Sequence, residues 1–369
     1  PHQPHQPHQP DQSDQPDQPD QSYQPHQPYP PYQPERRSHV RVLVTGATGF
    51  TGGHLASTLA RRGDDVRALV RPGSLEKFHR SPLAALGITA HSGDLTDAPA
   101  VARATQGVEV VYHVAATYRE AGQREQAYRA VNVQGTRNVL DAAARAGARR
   151  VVHCSTGGVH GHVANPPADE DAPFNPGDVY QDTKLEAEQL AADYRRSGAI
   201  EVVIARPIGI YGPGDTRFLK LFRGLARGRF PMLGSGEVFY HLSYIDDLVD
   251  GFRLCGEVPA AAGGTYLLAG PRYTTLNELV NLIAKELNVN PPRVHWPVWP
   301  FWTAGLVCEA VCIPLGIEPP LYRRRVDFYT KSRAFETTRA RTELGYAPQI
   351  DLEEGIRRTA NWYREQKLL

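Results

Sequence analysis

The chain reads as an α/β protein: a Rossmann-type, doubly wound parallel sheet with a smaller C-terminal substrate lobe. Three observations predict this. An apolar, β-branched run, Val40-Arg41-Val42-Leu43-Val44, ends in a glycine-rich turn, and an Ala/Leu-rich segment continues to Arg62 as a helix. From His39 onward, strand-like and helix-like stretches alternate at the spacing of βαβ units. The length, 369 residues, suffices for one large α/β domain and a smaller lobe.

Taken in order, residues 1–34 repeat a three-residue unit (Pro-His-Gln, Pro-Asp-Gln or Ser-Asp-Gln) and finish Pro/Tyr-rich. With almost nothing apolar to bury, residues 1–38 are expected to form a disordered tail of polyproline character. Its His2, His5, His8 and His26 offer at most a weak metal tract, against the simpler reading of a solvated tail. Strands are expected at residues 65–70, 88–92, 108–113, 149–155 and 201–205, with helices over 128–146 and around 180–196. Residues 39–210 thus form the expected cofactor-binding domain. After Pro207 the pattern loosens, so 211–369 is expected to be mainly a substrate lobe that partly returns to the first domain.

Composition narrows the function classes. Basic and acidic residues number 41 and 40, a net charge of +1, which implies no overall attraction to nucleic acid or membrane. The four cysteines, Cys154, Cys255, Cys308 and Cys312, show no paired metal spacing and no disulfide-framework density, which favours a reducing compartment. No apolar signal stretch occurs near the start. The expectation is a cytoplasmic protein with no metal, a small-molecule substrate and no transmembrane segment, and a homodimer is left open.

Two further motifs carry chemistry. Tyr180 and Lys184 stand four residues apart on one helix face, where they are neighbours. A cation about 4 Å from a phenol, at an effective dielectric near 20, contributes roughly 4 kcal/mol, enough to bring a tyrosine down to near neutral pH. That is what a tyrosine acid–base needs. Cys154-Ser155-Thr156-Gly157-Gly158 closes the fifth strand at its carboxyl end, where open α/β sheets bind ligands. A hydroxyl there could meet a substrate oxygen beside Tyr180; the alternative is a pair of ordinary turn residues. In the glycine-rich turn, Gly46 makes the tight turn, Gly49 lets backbone approach a pyrophosphate and Gly52 lets helix pack on strand, with Thr48, Phe50 and Thr51 between them.

Together these motifs make the chain resemble the extended branch of the short-chain dehydrogenase/reductase superfamily, from Val40 to the C-terminus. The likeness rests on Thr45–Gly52, Gly93-Asp94-Leu95, His113-Val114-Ala115-Ala116, Asn132-Val133-Gln134-Gly135-Thr136, Tyr180 with Lys184, and Arg206-Pro207 through Gly214-Asp215. The resemblance implies that Asp94 and Leu95 flank the adenine and Val114, Ala115 and Ala116 line the cofactor. It also implies that Pro207, Ile208 and Ile210 touch the nicotinamide amide, and that Asn132 holds the fourth strand. Thr156 falls on the family's catalytic serine/threonine, beside Ser155 among the cofactor contacts, and Lys184 would also bind the nicotinamide ribose. His160 stands where the family more often has tyrosine. The Arg206-Pro207 stretch is more similar to the 3β-hydroxysteroid dehydrogenase and dihydroflavonol reductase groups than to nucleotide-sugar epimerases.

The expected activity is an alcohol dehydrogenase or ketone reductase on an apolar cyclic substrate of steroid, terpenoid or flavonoid type. A nucleotide-sugar epimerase or dehydratase is the competing class, and a non-catalytic cofactor sensor the third. The expected cofactor is NADP, with NAD as the alternative. Where an NAD site has a carboxylate for the ribose 2′-hydroxyl, the second strand ends Val70-Arg71, a guanidinium suited to a 2′-phosphate. Lastly, Trp296 to Ile317 contains three of the four tryptophans and a single charge, Glu309. Pro297, Pro300 and Pro314 interrupt it, so it is expected to be an apolar lid over the substrate rather than a spanning helix. Peripheral membrane contact is the rival reading, since Arg323-Arg324-Arg325 follows.

Overall fold

The computed structural model describes residues 39–118, 123–312, 314–315, 317 and 319–369; the N-terminal repeat, residues 1–38 with its histidines, lies outside them. Seven parallel strands form the central sheet: β1 (Arg41–Thr45), β2 (Asp65–Val70), β3 (Thr89–Ser92), β4 (Val110–His113), β5 (Arg150–Cys154), β6 (Glu201–Pro207) and β7 (Thr265–Leu268). Their spatial order is β7-β6-β5-β4-β1-β2-β3. The order reverses between β1 and β4, which opens a crevice at their carboxyl ends, the place where such sheets bind ligands.

Helices cover both faces. α1 (Phe50–Arg61) and α5 (Ile245–Glu257) share one core with Val42 and Val44 of β1. α2 (Ala98–Thr105), α3 (Gly135–Arg145) and α4 (Val179–Ser197) share the other with Leu43 and Val111. Successive residues of a strand point to opposite faces, so a sheet covered twice must be apolar at every position. That is why β1 and β4 read as continuous apolar runs.

The expected strands stand within two residues of their places. The long helix expected over 128–146 is in fact composite: a short helix Glu125–Arg129, a π-helical turn Ala130–Gln134, and α3. β7 has no counterpart among the expected strands. It is four residues between Gly263-Gly264 and Ala269-Gly270, too short to show a period, and pairs with β6 in the register Thr265↔Ile204 to Leu268↔Pro207. It comes from the C-terminal half of the chain, as does α5, which covers β4, β5 and β6.

Two histidines side by side on β4 and β5, His113 and His153, are buried at this switch, their rings 5.6 Å apart. His113 lies between the hydroxyls of Thr45 and Thr136, each at 2.9 Å. Neither ring nitrogen of His153 has a hydrogen-bond partner. Burial, and then the Lys184 ammonium, push His113 down to about 3 and His153 well below its usual value. Both therefore stay neutral when folded. As pH falls below about 6.5 the unfolded chain takes up protons that the folded chain refuses, so stability falls, by about 1.4 kcal/mol per pH unit for each histidine. The loss continues for His113 until near pH 3. We predict that His153→Met removes one histidine's share of this acid slope in urea unfolding measured between pH 7 and 5. An unchanged slope would contradict it.

Candidate active site

The site begins at the turn after β1. Gly46 has φ +77°, and a Cβ there would lie 2.8 Å from the Ala115 nitrogen; a Cβ on Gly52 would lie 2.3 Å from the Gly46 oxygen. Turn, helix and the segment just beyond β4 thus approach to distances that only glycine allows. α1 is capped by Gly49 with no side-chain cap and no acid in its first turn. Its first N–H groups are left for an outside acceptor, an arrangement that favours an anion. Arg71 directly follows β2 and is exposed, and Asp94 accepts from the Thr96 nitrogen at 2.9 Å and hydroxyl at 2.7 Å.

Asn132 sits in the π-helical turn. Its side chain accepts from Thr117 N (2.8 Å) and donates to Thr117 O (3.2 Å) and the Thr183 hydroxyl (3.0 Å). It ties the segment beyond β4 to α4. A π-turn inside a helix often marks a functional site, because it redirects a side chain that a regular helix would point elsewhere.

α4 starts where Asp178 caps it by accepting from Gln181 N at 2.9 Å, which puts Tyr180 in the first turn. Tyr180 is half-buried and meets Tyr118 edge-on, ring centroids 4.8 Å apart. Lys184, one turn on, is buried, and its ammonium donates to the Cys154 carbonyl at the end of β5. Burial lowers its pKa, while Cys154 and Glu188 oppose that fall. Thr156 caps the turn Gly157–His160 by accepting from Gly158 N at 3.0 Å, so its own hydroxyl proton remains to be donated. Ser155 is different: its buried hydroxyl donates to Glu188.

Behind these residues lies a buried ion pair. Arg206 Nε donates to both Glu188 oxygens, at 3.1 and 3.2 Å, and both side chains are about 95% buried. The same guanidinium donates to the Glu170 carbonyl (2.6 Å) and to His160 Nε2 (3.0 Å). His160 is therefore a neutral acceptor, its pKa lowered by burial and then by Arg206.

A cavity of about 800 Å³ gathers the expected contacts. Gly46, Thr48, Gly49, Phe50, Thr51 and Gly52 line one end with Arg71, Asp94 and Leu95. Val114, Ala115, Ala116, Ser155, Thr156, Tyr180, Pro207, Ile208 and Ile210 line the middle. Lys184 and His160 do not line it. The far end brings residues that the sequence reading missed: Tyr118, Arg217, Phe218, Tyr240, Leu242, Asp327, Phe328, Lys331, Arg333 and Phe335. Arg217 pairs with Asp215 at 2.6 Å and stands 5.5 Å from the Phe50 ring and 5.8 Å from that of Tyr118. Only its place after Gly212-Pro213-Gly214-Asp215 could have marked it. The segment expected to act as lid contributes no described residue between Trp296 and Ile317 to this cavity; the helix after it, α7 (Arg323–Thr330), does.

The family model of the NAD dependent epimerase/dehydratase family matches residues 42–269. The chain belongs to that family. It is an NAD(P)-dependent oxidoreductase of the extended short-chain dehydrogenase/reductase type. Among curated relatives of this epimerase/dehydratase-family chain, a 2-alkyl-3-oxoalkanoate reductase of Stenotrophomonas maltophilia is 33% identical, over 86% of this chain and 98% of the relative. A 3beta-hydroxysteroid-dehydrogenase/decarboxylase isoform 2 of Arabidopsis thaliana is 31% identical over 86% of this chain, which spans only 61% of that relative's length. The crystal structure of gox2253 superposes with a TM-score of 0.76 at 31% identity, covering 90% of this chain and all of the other. MoeE5 in complex with UDP-glucuronic acid and NAD follows at 0.68 and 25%, covering 88% of this chain and 99% of that one.

The ion pair makes its own prediction. Glu188→Leu leaves Arg206 buried without a counter-ion and should cost about 3–5 kcal/mol in denaturant unfolding. The double variant Glu188→Leu/Arg206→Leu should recover much of that loss. Equal losses in the single and double variants would overturn this account.

Proposed function

We propose that the protein is an NADP-dependent alcohol dehydrogenase or ketone reductase whose substrate is an apolar hydroxy or keto compound, cyclic in the manner of steroids, terpenoids or flavonoids. The observation that carries the reading is the meeting of Tyr180 and Thr156 on one cavity wall with Lys184 buried beneath them. The residues fit a dinucleotide: the glycine cradle around Gly46 and Gly52 would be filled by any Cβ, and the uncapped start of α1 offers N–H groups to a pyrophosphate. Gly46, Thr48, Gly49, Phe50, Thr51 and Gly52 would hold the pyrophosphate, Asp94 and Leu95 the adenine end, Val114 to Ala116 and Ser155 the middle, and Pro207, Ile208 and Ile210 the nicotinamide amide. When bound, the nicotinamide exchanges a hydride with the carbinol carbon.

The chain's own residues handle the proton. In the direction of reduction, Tyr180 gives its phenolic proton to the substrate oxygen as that oxygen becomes a hydroxyl, and in oxidation it takes the proton back. Lys184 favours the phenolate through its charge, and a buried cation acts more strongly than an exposed one. Thr156 keeps its hydroxyl proton and donates it as a hydrogen bond to the same oxygen, which positions that oxygen.

Phe218, Tyr240, Leu242, Phe328 and Phe335 on the far walls support an apolar substrate body. Arg71, exposed on the cavity rim at the end of β2, supports NADP, because a guanidinium makes charge-assisted bonds to a 2′-phosphate. One observation favours the second reading, a nucleotide-sugar epimerase or dehydratase: Arg217, Lys331 and Arg333 are three cations on the same walls.

Three measurements test the reading. Tyr180→Phe should lower kcat by on the order of 10²- to 10⁴-fold with cofactor affinity nearly intact, while Thr156→Ser should lose far less than Thr156→Ala. Retention of half the activity by Tyr180→Phe would end the proposal. Arg71→Ala should raise KM for NADPH on the order of tenfold and leave NADH unaffected. Absorbance at the nicotinamide band, followed across steroid, terpenoid, flavonoid and sugar-nucleotide panels, separates the reaction classes: a reductase consumes reduced cofactor in step with substrate, and an epimerase turns over with cofactor unchanged.

A further inference from the structure

The helix α6 (Val298–Cys312) is apolar on both faces, and the fold covers only one of them. Val298, Phe301, Gly305, Cys308, Glu309 and Cys312 form the inner stripe, at helical spacing, and are buried or half-buried. Gly305 lies against α7, where a Cβ would stand 3.0 Å from the Arg323 nitrogen. The outer stripe is Trp299, Trp302, Leu306, Val307 and Val311, all exposed, with Trp299 at 71%. Leu315, three residues beyond the helix, is also 66% exposed. A soluble domain rarely leaves a contiguous apolar face of this kind without a partner.

Charge narrows the choice of occupant. From Arg293 to Arg325 the chain holds four arginines, Arg293, Arg323, Arg324 and Arg325, against two glutamates, Glu309 and Glu318. Glu309 is already taken: it accepts from the Arg323 nitrogen and Nε, each at 2.7 Å. A second copy of this chain meeting the face through a two-fold axis would place basic border against basic border. An anionic surface meets no such opposition. At 15 residues α6 is about 22 Å long, and no described helix is long and apolar enough to cross a membrane.

We propose that the outer face of α6 docks on an anionic lipid surface. Trp299, Trp302, Leu306 and Val307 enter the headgroup and acyl boundary, and Arg293 and Arg325 meet the phosphates. α7, packed on the inner side of α6, supplies Asp327 and Phe328 to the cavity, so the docked helix stands next to the substrate end of the site. The inference does not depend on the substrate class proposed above.

Co-sedimentation of the full chain with phosphatidylglycerol/phosphatidylcholine vesicles, and with phosphatidylcholine alone, tests it. The expected result is binding to the anionic vesicles that weakens at high salt. Arg325→Gln should weaken it about fivefold, and Trp299→Ser/Leu306→Ser/Val307→Ser should weaken it more than tenfold with an unchanged thermal midpoint. Should the triple variant not fold, tryptophan emission of the wild type decides: a blue shift on vesicle addition and quenching by brominated lipid are expected, and their absence overturns the proposal. A wild type that stays in the supernatant also overturns it. So does a wild-type dimer that fails to bind vesicles and becomes monomeric in the triple variant under sedimentation velocity, since the occupant is then a second copy.

Discussion

The buried pair of Glu188 and Arg206 is the interaction on which the site's geometry depends. Two charges out of water persist only when their remaining bonds are satisfied, which fixes the groups that satisfy them. Glu188 belongs to α4, Arg206 to β6, Ser155 to the end of β5, and the Glu170 carbonyl and His160 to the loop between β5 and α4. One network therefore sets the distance between the helix that carries Tyr180 and Lys184 and the strand end that carries Thr156. With Lys184 one turn from Glu188, two buried cations share one carboxylate. The surplus positive charge shows in its neighbours: Lys184 adds to burial in lowering His113 and His153, and Arg206 does the same to His160. A group that must hold negative charge benefits from the field that keeps these imidazoles neutral.

A second constraint acts at the other end of the cavity. The turn after β1, the start of α1 and the strand end at Ala115 meet so closely that Gly46 and Gly52 admit no side chain. Thr45 joins them, its hydroxyl accepting from Ala115 N at 3.2 Å and meeting His113 at 2.9 Å. From His113 the chain of contacts runs through the Thr136 hydroxyl, which donates to the Asn132 carbonyl at 2.6 Å, and through the Asn132 side chain to Thr183 of α4. The loop suited to a pyrophosphate and the helix carrying the tyrosine are thus ends of one buried polar line across the switch point of the sheet.

The C-terminal part serves this core in two ways. β7 and α5 complete the sheet and its cover, and α7 with residues 327–335 lines the far end of the cavity. α6 does neither. Its outer face has an apolar composition that would bury well in a larger protein, set instead at the surface beside a basic border.

By itself the sequence determined the parallel sheet, the glycine-rich turn, and the placing of Tyr180 and Lys184 one turn apart on a helix, because each is a local pattern. Strand period, glycine at forced approaches and four-residue helix spacing need no distant partner to be read. The placing of Thr156 followed from counting within a family motif, again a local matter. Only the tertiary structure decided that the Ser155 hydroxyl serves Glu188 while the Thr156 hydroxyl proton stays available, since the two adjoin in sequence and differ in what lies across from them. It decided that Lys184 lies under the cavity without lining it, that Thr265–Leu268 is the seventh strand, and that Arg217, Lys331 and Arg333 line the cavity. It also kept the tryptophan-rich helix out of the cavity lining. These depend on contacts between residues up to 170 positions apart, such as Ser332 N to His162 at 3.1 Å, and no short-range pattern encodes which distant partner a side chain will meet.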